Sequence, residues 1–302
     1  MLTVLIKTAG IMLIIMIPAV LMKKTGTFPA STAKVLSKVA IRILLPFVYI
    51  CNLNGKILSG ELVGALLWGM GVNAVLITAA VILSRKKPKE TVFILQYCIP
   101  CFNTTGFALP VLQMFATEHE IASLVMFNLP ITFSFFFITP LMIGLLTAGE
   151  HKVSLKEIGK GFLSNIAAMT SLAMMLLCLL RISIPDVVIT AIRPIANANA
   201  AVSLLALGLL FEFPKQLPKT NITALAVRLV ITISAALLVW FRVIPFGEIR
   251  STMILVLFSP IPSASPAMAL TQGFEGSEVA FGVSANLLYS MVTVTVLCTL
   301  LF

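Results

Sequence analysis

The stretch "CIPCFNTTGFALP", residues 98–110, interrupts a long apolar segment with residues that break helices. It places two prolines, a glycine, an asparagine and two threonines where a membrane-spanning helix would have its middle. A proline removes one backbone donor and frees the carbonyl group one turn earlier. In lipid such unsatisfied groups are costly, so irregular backbone at this depth is expected only where protein buries it or where it lines a wet cavity. The stretch therefore predicts an internal polar site.

The composition around this stretch is that of a membrane protein. Of the 302 residues, 59% are hydrophobic and only 11% are charged, whereas about 25% are charged in a soluble domain. A spanning helix needs roughly 20 apolar residues, and the strand alternation of a barrel is absent. We predict an all-α integral membrane protein, a single transmembrane domain over residues 1–302, with ten spans at about 2–22, 35–53, 61–83, 91–115, 120–147, 162–180, 187–211, 221–241, 250–273 and 278–301.

The distribution of Lys and Arg predicts the orientation of the chain. The connections after odd-numbered spans hold thirteen of these residues and those after even-numbered spans hold four. Because cytoplasmic loops carry the excess of positive charge, we expect a multi-pass protein of the cytoplasmic membrane with both termini outside. The net charge of +10 is then mostly an orientation signal in a lipid bilayer. No basic stripe is interleaved with aromatics, so no nucleic-acid partner is predicted.

A second interruption, "LFSPIPSASPAMALTQG" at 257–273, resembles the first. The following segments "EIASLVMFNL" (120–129) and "EVAFGVSANL" (278–287) share five of ten positions. We interpret the chain as a repeated five-helix unit, with repeat 1 at about 1–147 and repeat 2 at about 162–302. Since five is odd, the copies are inverted, as in many secondary transporters.

In such a repeat the broken spans 4 and 9 would cross near the midplane and form a polar site. Asn103 offers both a donor and an acceptor, and Gly106 allows a ligand to approach the backbone closely. The predicted substrate-binding residues are Asn103, Thr104, Thr105, Gly106, Asn128, Ser263 and Ser265. The alternatives are proline kinks repaired by hydroxyls, and hydrogen bonding between helices without a ligand, which we favour for Asn197, Asn199 and Asn286.

The titratable residues exclude several functions. All eleven acidic residues and both histidines lie in connections or at span ends, and Glu120 fits a helix start three residues after Thr117. A buried proton relay, a catalytic centre, a metal site and a cofactor are therefore not expected. We interpret Cys98 and Cys101 as packing residues and not as a redox pair, because no soluble strand-to-helix context surrounds them.

Four cations, Lys7, Arg42, Arg193 and Arg228, fall within or near spans. We expect Arg193 and Arg228, each about seven residues from a span end, to snorkel or to line a vestibule. Cations near a polar site favour an anionic solute over a cationic one.

Four stretches together resemble the auxin efflux carrier family over essentially the whole chain. They are "ILLPFVYICNL" (43–53), "CFNTTGFALPVL" (101–112), "AVSLLALGLLFEF" (201–213) and "SPIPSASPAMALTQGFEGSEVAFGVSANLLYSMVTV" (259–294). The resemblance implies a scaffold of spans 1, 2, 6 and 7, and a transport group of spans 3–5 and 8–10. It makes Pro100 and Pro260 the crossover prolines, and it places Asn103 beside the substrate with Asn128 nearby.

The resemblance further implies a carrier of small organic anions, such as auxin in plants and malate or malonate in bacteria. This chain lacks the long central cytoplasmic loop of many plant members, so auxin itself is not predicted. The leading hypothesis is an elevator-like efflux carrier for a small carboxylate. The alternatives are a sodium-coupled importer resembling bile-acid symporters, and a sensor that binds solute without moving it. The solute, direction, ion coupling and oligomeric state stay open, with a homodimer as one alternative.

The orientation can be tested with reporter fusions. Because both connections are rich in lysine, reporters placed in 23–34 and 148–160 should give the cytoplasmic signal. An external signal from either fusion would contradict the orientation.

Overall fold

The computed structural model describes residues 14–147, 155–211, 218–266, 268, 274 and 277–301. Over these residues the chain is helical and contains no strand, which confirms the all-α prediction. Most of the predicted first span, and residues 267, 269–273, 275 and 276, lie outside the described part of the chain.

Fourteen helices are labelled here in chain order, and short π and 3₁₀ segments join some of them. They are α1 (14–24), α2 (Ala30–Val39), α3 (Leu45–Leu53), α4 (Gly60–Ser84), α5 (Lys89–Cys98), α6 (Leu109–Leu112), α7 (Glu118–Phe133), α8 (Thr139–Leu146), α9 (Leu155–Leu163), α10 (Ile166–Leu180), α11 (Asp186–Leu210), α12 (Lys219–Trp240), α13 (Arg250–Leu255) and α14 (Ser277–Leu301).

Among the described residues, six continuous helical stretches are long and apolar enough to cross a bilayer, so the protein is membrane-embedded. They are Ser31–Leu53, Gly60–Ser84, Glu118–Leu146, Asp186–Leu210, Lys219–Trp240 and Glu278–Leu301. Each coincides with a predicted span. The predicted span 162–180 corresponds to the shorter apolar helix α10 and the end of α9.

The predicted spans 91–115 and 250–273 are not continuous helices. The first stops at Cys98 and turns helical again only at Thr104, as a π segment (Thr104–Ala108) that leads into α6. The second stops after a 3₁₀ turn (Val256–Phe258), and the backbone is extended at Ser259. Prolines follow both stops. Ser259, before Pro260, is extended as a residue before proline prefers to be, whereas Ile99, before Pro100, keeps a helical conformation.

Three π segments, Ala40–Leu44, Thr104–Ala108 and Ser134–Ile138, share one sequence feature. Each is followed by a helix whose second residue is proline: Pro46, Pro110 or Pro140. A proline ring clashes with the carbonyl one turn earlier and cannot donate to it. A wider π turn before the proline relieves that clash, although Pro130 and Pro194 lie inside α7 and α11 without such a turn before them.

The capping box predicted at the start of α7 is confirmed. The Thr117 hydroxyl accepts from the backbone N–H of Glu120, and the Glu120 carboxylate accepts from the backbone N–H of Thr117.

A glycine allows α4 and α7 to pack closely. A Cβ atom added to Gly69 would lie 2.4 Å from the carbonyl oxygen of Phe127 and 3.0 Å from Pro130, whereas a Cβ atom at Gly71 would meet nothing within 4 Å. Both glycines lie on α4, so the difference arises from packing and not from helix propensity.

We expect Gly69→Ala to lower the melting temperature of the detergent-purified protein, because α4 must move away from the backbone of α7. Overpacking of this kind typically destabilises by about 1–3 kcal/mol. The matched variant Gly71→Ala should be neutral or slightly stabilising. Equal melting temperatures for the two variants would contradict the close approach.

Candidate functional site

The two interruptions are in direct contact. The backbone N–H of Asn103, in the first break, donates to the carbonyl oxygen of Pro260, in the second, at 2.7 Å. This bond satisfies a donor and an acceptor that neither broken helix can satisfy by itself. The breaks therefore meet, as expected from their matching positions in the sequence.

Side chains from neighbouring helices bind the carbonyl groups that the breaks leave free. Asn73 of α4 donates its amide to the carbonyl of Pro100 at 2.9 Å. The Asn73 carbonyl in turn accepts from the hydroxyl of Ser134, in the third π segment. Sequence reasoning missed Asn73, although an asparagine in the middle of an apolar span was a usable signal.

Arg228 of α12 makes the largest set of these contacts. Its guanidinium donates to the carbonyl oxygens of Cys98, Ile99 and Cys101 at 3.3, 3.1 and 2.5 Å, and to that of Ser259 at 2.7 Å. It also lies over the Phe102 ring, 4.2 Å from the ring centroid. Arg228 is only 3% exposed, so the expectation that it snorkels or lines a vestibule is wrong. It joins the two interruptions from inside the protein.

Arg193, by contrast, is exposed and pairs with Glu118 at 2.7 Å. Lys56 approaches the same carboxylate at 3.9 Å. These residues lie at the end of the protein where α4, α7 and α11 begin.

Three adjoining cavities, of ≈ 100, 50 and 20 Å³, surround the contact between the interruptions. All three are lined by Asn103 and Ser263. The largest also has walls from Tyr49, Phe102 and Asn128. The described residues on the walls of these cavities carry amide, hydroxyl and apolar groups and no charged side chain.

Residues from all three π segments face the largest cavity. They are Ile41 from the first, Thr105 from the second, and Phe135 and Phe136 from the third. Bulges of this kind occur frequently at functional sites. The prolines that cause them therefore shape the walls of the cavity.

Asn103 has one partner for its side chain and one unused donor. Its Oδ1 accepts from the backbone N–H of Gly106 at 3.1 Å and caps the π segment. Its Nδ2 is buried and has no hydrogen-bond partner among the described residues. The residue is 7% exposed. A buried donor without a partner is costly, so a ligand in the cavity that accepts this hydrogen bond would be stabilised.

The other predicted binding residues fall into two groups. Thr105, Gly106, Ser263 and Asn128 lie on cavity walls. Thr104 and Ser265 are fully buried and lie on none of these walls.

Both ends of the Asn128 side-chain amide form hydrogen bonds with other side chains of the protein. Its Oδ1 accepts from the hydroxyl of Thr104, and its Nδ2 donates to Tyr49 at 3.2 Å and to Thr132 at 3.0 Å. Thr104 thus positions Asn128 without facing the cavity. Tyr49 was not predicted, because a tyrosine in an apolar span carries no clear signal.

The three asparagines assigned to hydrogen bonding between helices differ. Asn286 donates to the carbonyl of Gly282 on its own helix at 3.2 Å. Asn197 is exposed, whereas Asn199 is buried and donates to Gln113 at 3.0 Å, so the two face different directions.

The thiols of Cys98 and Cys101 are free and buried. Among the described residues, no group of three or more His, Cys, Asp and Glu side chains could hold a metal ion. The site therefore offers hydrogen-bond donors and acceptors around an enclosed space, which is an arrangement for binding.

Fold and site together define a helical membrane protein with an internal polar cavity at the contact of two interrupted helices. No protein-family model matches the chain, and no curated protein matches it.

Gly106→Ala tests the cap on the π segment. A Cβ atom at Gly106 would lie 2.5 Å from Asn103 Oδ1, so the Asn103 side chain must rotate and lose its bond to the backbone. Loss of such a cap typically costs about 1 kcal/mol. We expect a lower melting temperature than for Gly71→Ala, whose Cβ meets nothing. A melting temperature equal to that of Gly71→Ala would contradict this geometry.

Proposed function

We propose that the protein is a secondary transporter that moves a small organic anion across the cytoplasmic membrane, with the solute bound where the interrupted helices meet. The observation that carries the proposal is Asn103, which lies at the contact between the breaks, lines all three cavities around it and holds a buried amide donor without a partner among the described residues. Polar sites at breaks in paired helices are typical of secondary transporters.

The electrostatics favour an anion. Asn103 Nδ2 and the hydroxyls of Thr105 and Ser263 can donate to a carboxylate. The Arg228 guanidinium lies 4.2 Å from the centroid of the Phe102 ring, and Phe102 lines the largest cavity. Among the described residues, no carboxylate side chain lines the cavities. A cationic solute would find no counter-charge on these walls.

Aromatic side chains form part of the wall of the largest cavity, so a solute that fills this cavity needs an apolar portion. Phe102, Phe135, Phe136 and Tyr49 surround the largest cavity. We therefore favour a carboxylate with an apolar portion that fits a space of ≈ 100 Å³.

The positions of the cavities support an alternating-access mechanism. The smaller two are lined by Ser37 of α2, by Leu207 near the end of α11 and by Ser284 near the start of α14. By the charge distribution in the sequence these helix ends are cytoplasmic. Gln113 bonds Asn199, which also lines the second cavity, and Glu118 pairs with Arg193 nearer the start of α11. These contacts support a proposed state that is closed toward the outside.

The same contacts fit an elevator-like movement. Gln113 and Glu118 belong to the predicted transport group, whereas Asn199 and Arg193 belong to the predicted scaffold. Displacement of one group along the other would break these two contacts and also the bonds of Asn128 to Tyr49 and of Gln113 to the Ala196 carbonyl. The exposed ion pair among them is worth little. Weak contacts of this kind stabilise one position of the transport group and still allow it to move to the other.

We further propose that the chain belongs to the auxin efflux carrier family and exports its solute, as two inverted five-helix repeats with both termini outside. The sequence stretches at 43–53, 101–112, 201–213 and 259–294 support this membership.

The test is flux of labelled mono- and dicarboxylates into proteoliposomes by three proteins: the wild type, Asn103→Asp and Asn103→Ala. Asn103→Asp keeps the acceptor that caps Gly106 but replaces the free amide donor with a carboxylate. We expect it to retain the cap, to melt somewhat below the wild type because a buried carboxylate is costly, and to lose flux at least tenfold, the factor that corresponds to about 1.4 kcal/mol of lost binding. Asn103→Ala should lose flux and some stability.

The matched control is Asn197→Ala, because Asn197 is an exposed asparagine on α11 and its removal should leave flux unchanged. Wild-type flux in Asn103→Asp would exclude the amide from the site. An absence of flux for every acid, with folded wild-type protein, would refute the organic-anion carrier.

A further inference from the structure

A positive charge is fixed where the two interrupted helices expose their carbonyl groups. The Arg228 guanidinium contacts four carbonyl oxygens, three from the first interruption and one from the second. Cys98 and Ile99 end α5, and Ser259 directly follows the 3₁₀ turn after α13. These oxygens carry the partial negative charge of helix C-termini.

Clusters of this kind are cation sites. In transporters with broken helices, unwound carbonyls and half-helix C-termini coordinate coupling ions. In this protein the N–H groups of Arg228 donate to these carbonyl oxygens, so a side chain and not an ion fills the cluster. The N···O distances of 2.5–3.3 Å leave no room for an ion between Arg228 and these oxygens.

The charge of Arg228 is compensated by dipoles and not by a carboxylate. Among the described residues, no Asp or Glu forms an ion pair with it. Its other neighbour is the face of the Phe102 ring, and Phe102 lines the largest cavity. The positive charge therefore lies beside a residue of the cavity wall.

We propose that Arg228 is a tethered cation. Its guanidinium occupies the position at which an ion-coupled carrier would hold a dissociable cation. Because it joins both interruptions, it also positions Asn103 and Phe102, which line the largest cavity. The consequence for transport, which rests on the proposed function, is that solute binding needs no sodium or potassium ion. The cation site itself does not depend on that function.

A purely structural role for Arg228 predicts a different response to ions. If the side chain only fills space, its removal leaves a cavity that any small solute fills equally well. If it is a tethered cation, its removal leaves a cluster of carbonyl oxygens that selects a positively charged occupant. Guanidinium and urea separate the two cases, because they have similar planar shapes and differ in charge.

The first experiment measures the melting temperature of detergent-purified Arg228→Ala in millimolar guanidinium, urea, sodium, potassium or choline chloride. The range stays far below the molar concentrations at which guanidinium and urea denature. We expect a lower melting temperature than for the wild type. Guanidinium at ten times its dissociation constant should raise it by roughly 3 °C or more, and urea should not.

The matched control is Arg85→Ala, because Arg85 is exposed at the end of α4. It should melt like the wild type and should respond to none of these salts. Stabilisation of Arg228→Ala by guanidinium and urea alike, or by neither, would overturn the tethered cation.

If Arg228→Ala does not fold, the wild type and Arg228→Lys decide the question. The wild type should melt at the same temperature in sodium and in choline chloride. Arg228→Lys should be intermediate, since an ammonium group supplies charge without the planar fork. A sodium-dependent rise in the wild-type melting temperature would show a dissociable cation site and would overturn the proposal.

Flux measurements then address coupling. For a labelled carboxylate that the wild type carries, we expect equal initial rates with and without a sodium gradient, and partial recovery of Arg228→Ala flux by guanidinium but not by urea. Sodium-dependent wild-type flux would overturn the proposal. Failure of the wild type to carry any acid would refute the transport function alone, because the melting comparison does not use flux.

Discussion

The structure depends on one constraint, that every backbone polar group within the membrane-embedded part needs a partner. Two breaks in apolar helices free several such groups at one place. They are satisfied by the bond between Asn103 and Pro260, by Asn73, and by the guanidinium of Arg228. Because the partners come from different helices, each also fixes the position of one helix relative to another.

The prolines turn this constraint into a cavity. Five of them, Pro46, Pro100, Pro110, Pro140 and Pro260, lie at or directly after irregular backbone. Where the turns widen or break, neighbouring helices do not pack closely against each other. The space that remains is lined by Asn103, Thr105 and Ser263. Backbone irregularity and the polar wall therefore have the same origin in the sequence.

Sequence reasoning predicted the helical class, the six long helices and the contact of the two interruptions, because length, hydropathy and proline position act locally. It could not place Arg228. The same residue can snorkel or be buried, and only the positions of carbonyl groups distant in sequence decide between the two. It also grouped Thr104 with Thr105, although adjacent residues on a helical turn face different directions. Whether the two halves are inverted copies stays a prediction.

Hydrogen-bond satisfaction separates the roles of two asparagines that look alike in the sequence. Asn128 uses both ends of its amide within the protein and thereby fixes Tyr49 and Thr104. Asn103 uses its acceptor to cap a π segment and leaves its donor unpaired in a buried site. An unpaired donor lowers stability unless a ligand accepts from it. The acceptor of Asn103 therefore stabilises the fold without a ligand, whereas its donor contributes only if a solute accepts a hydrogen bond from it.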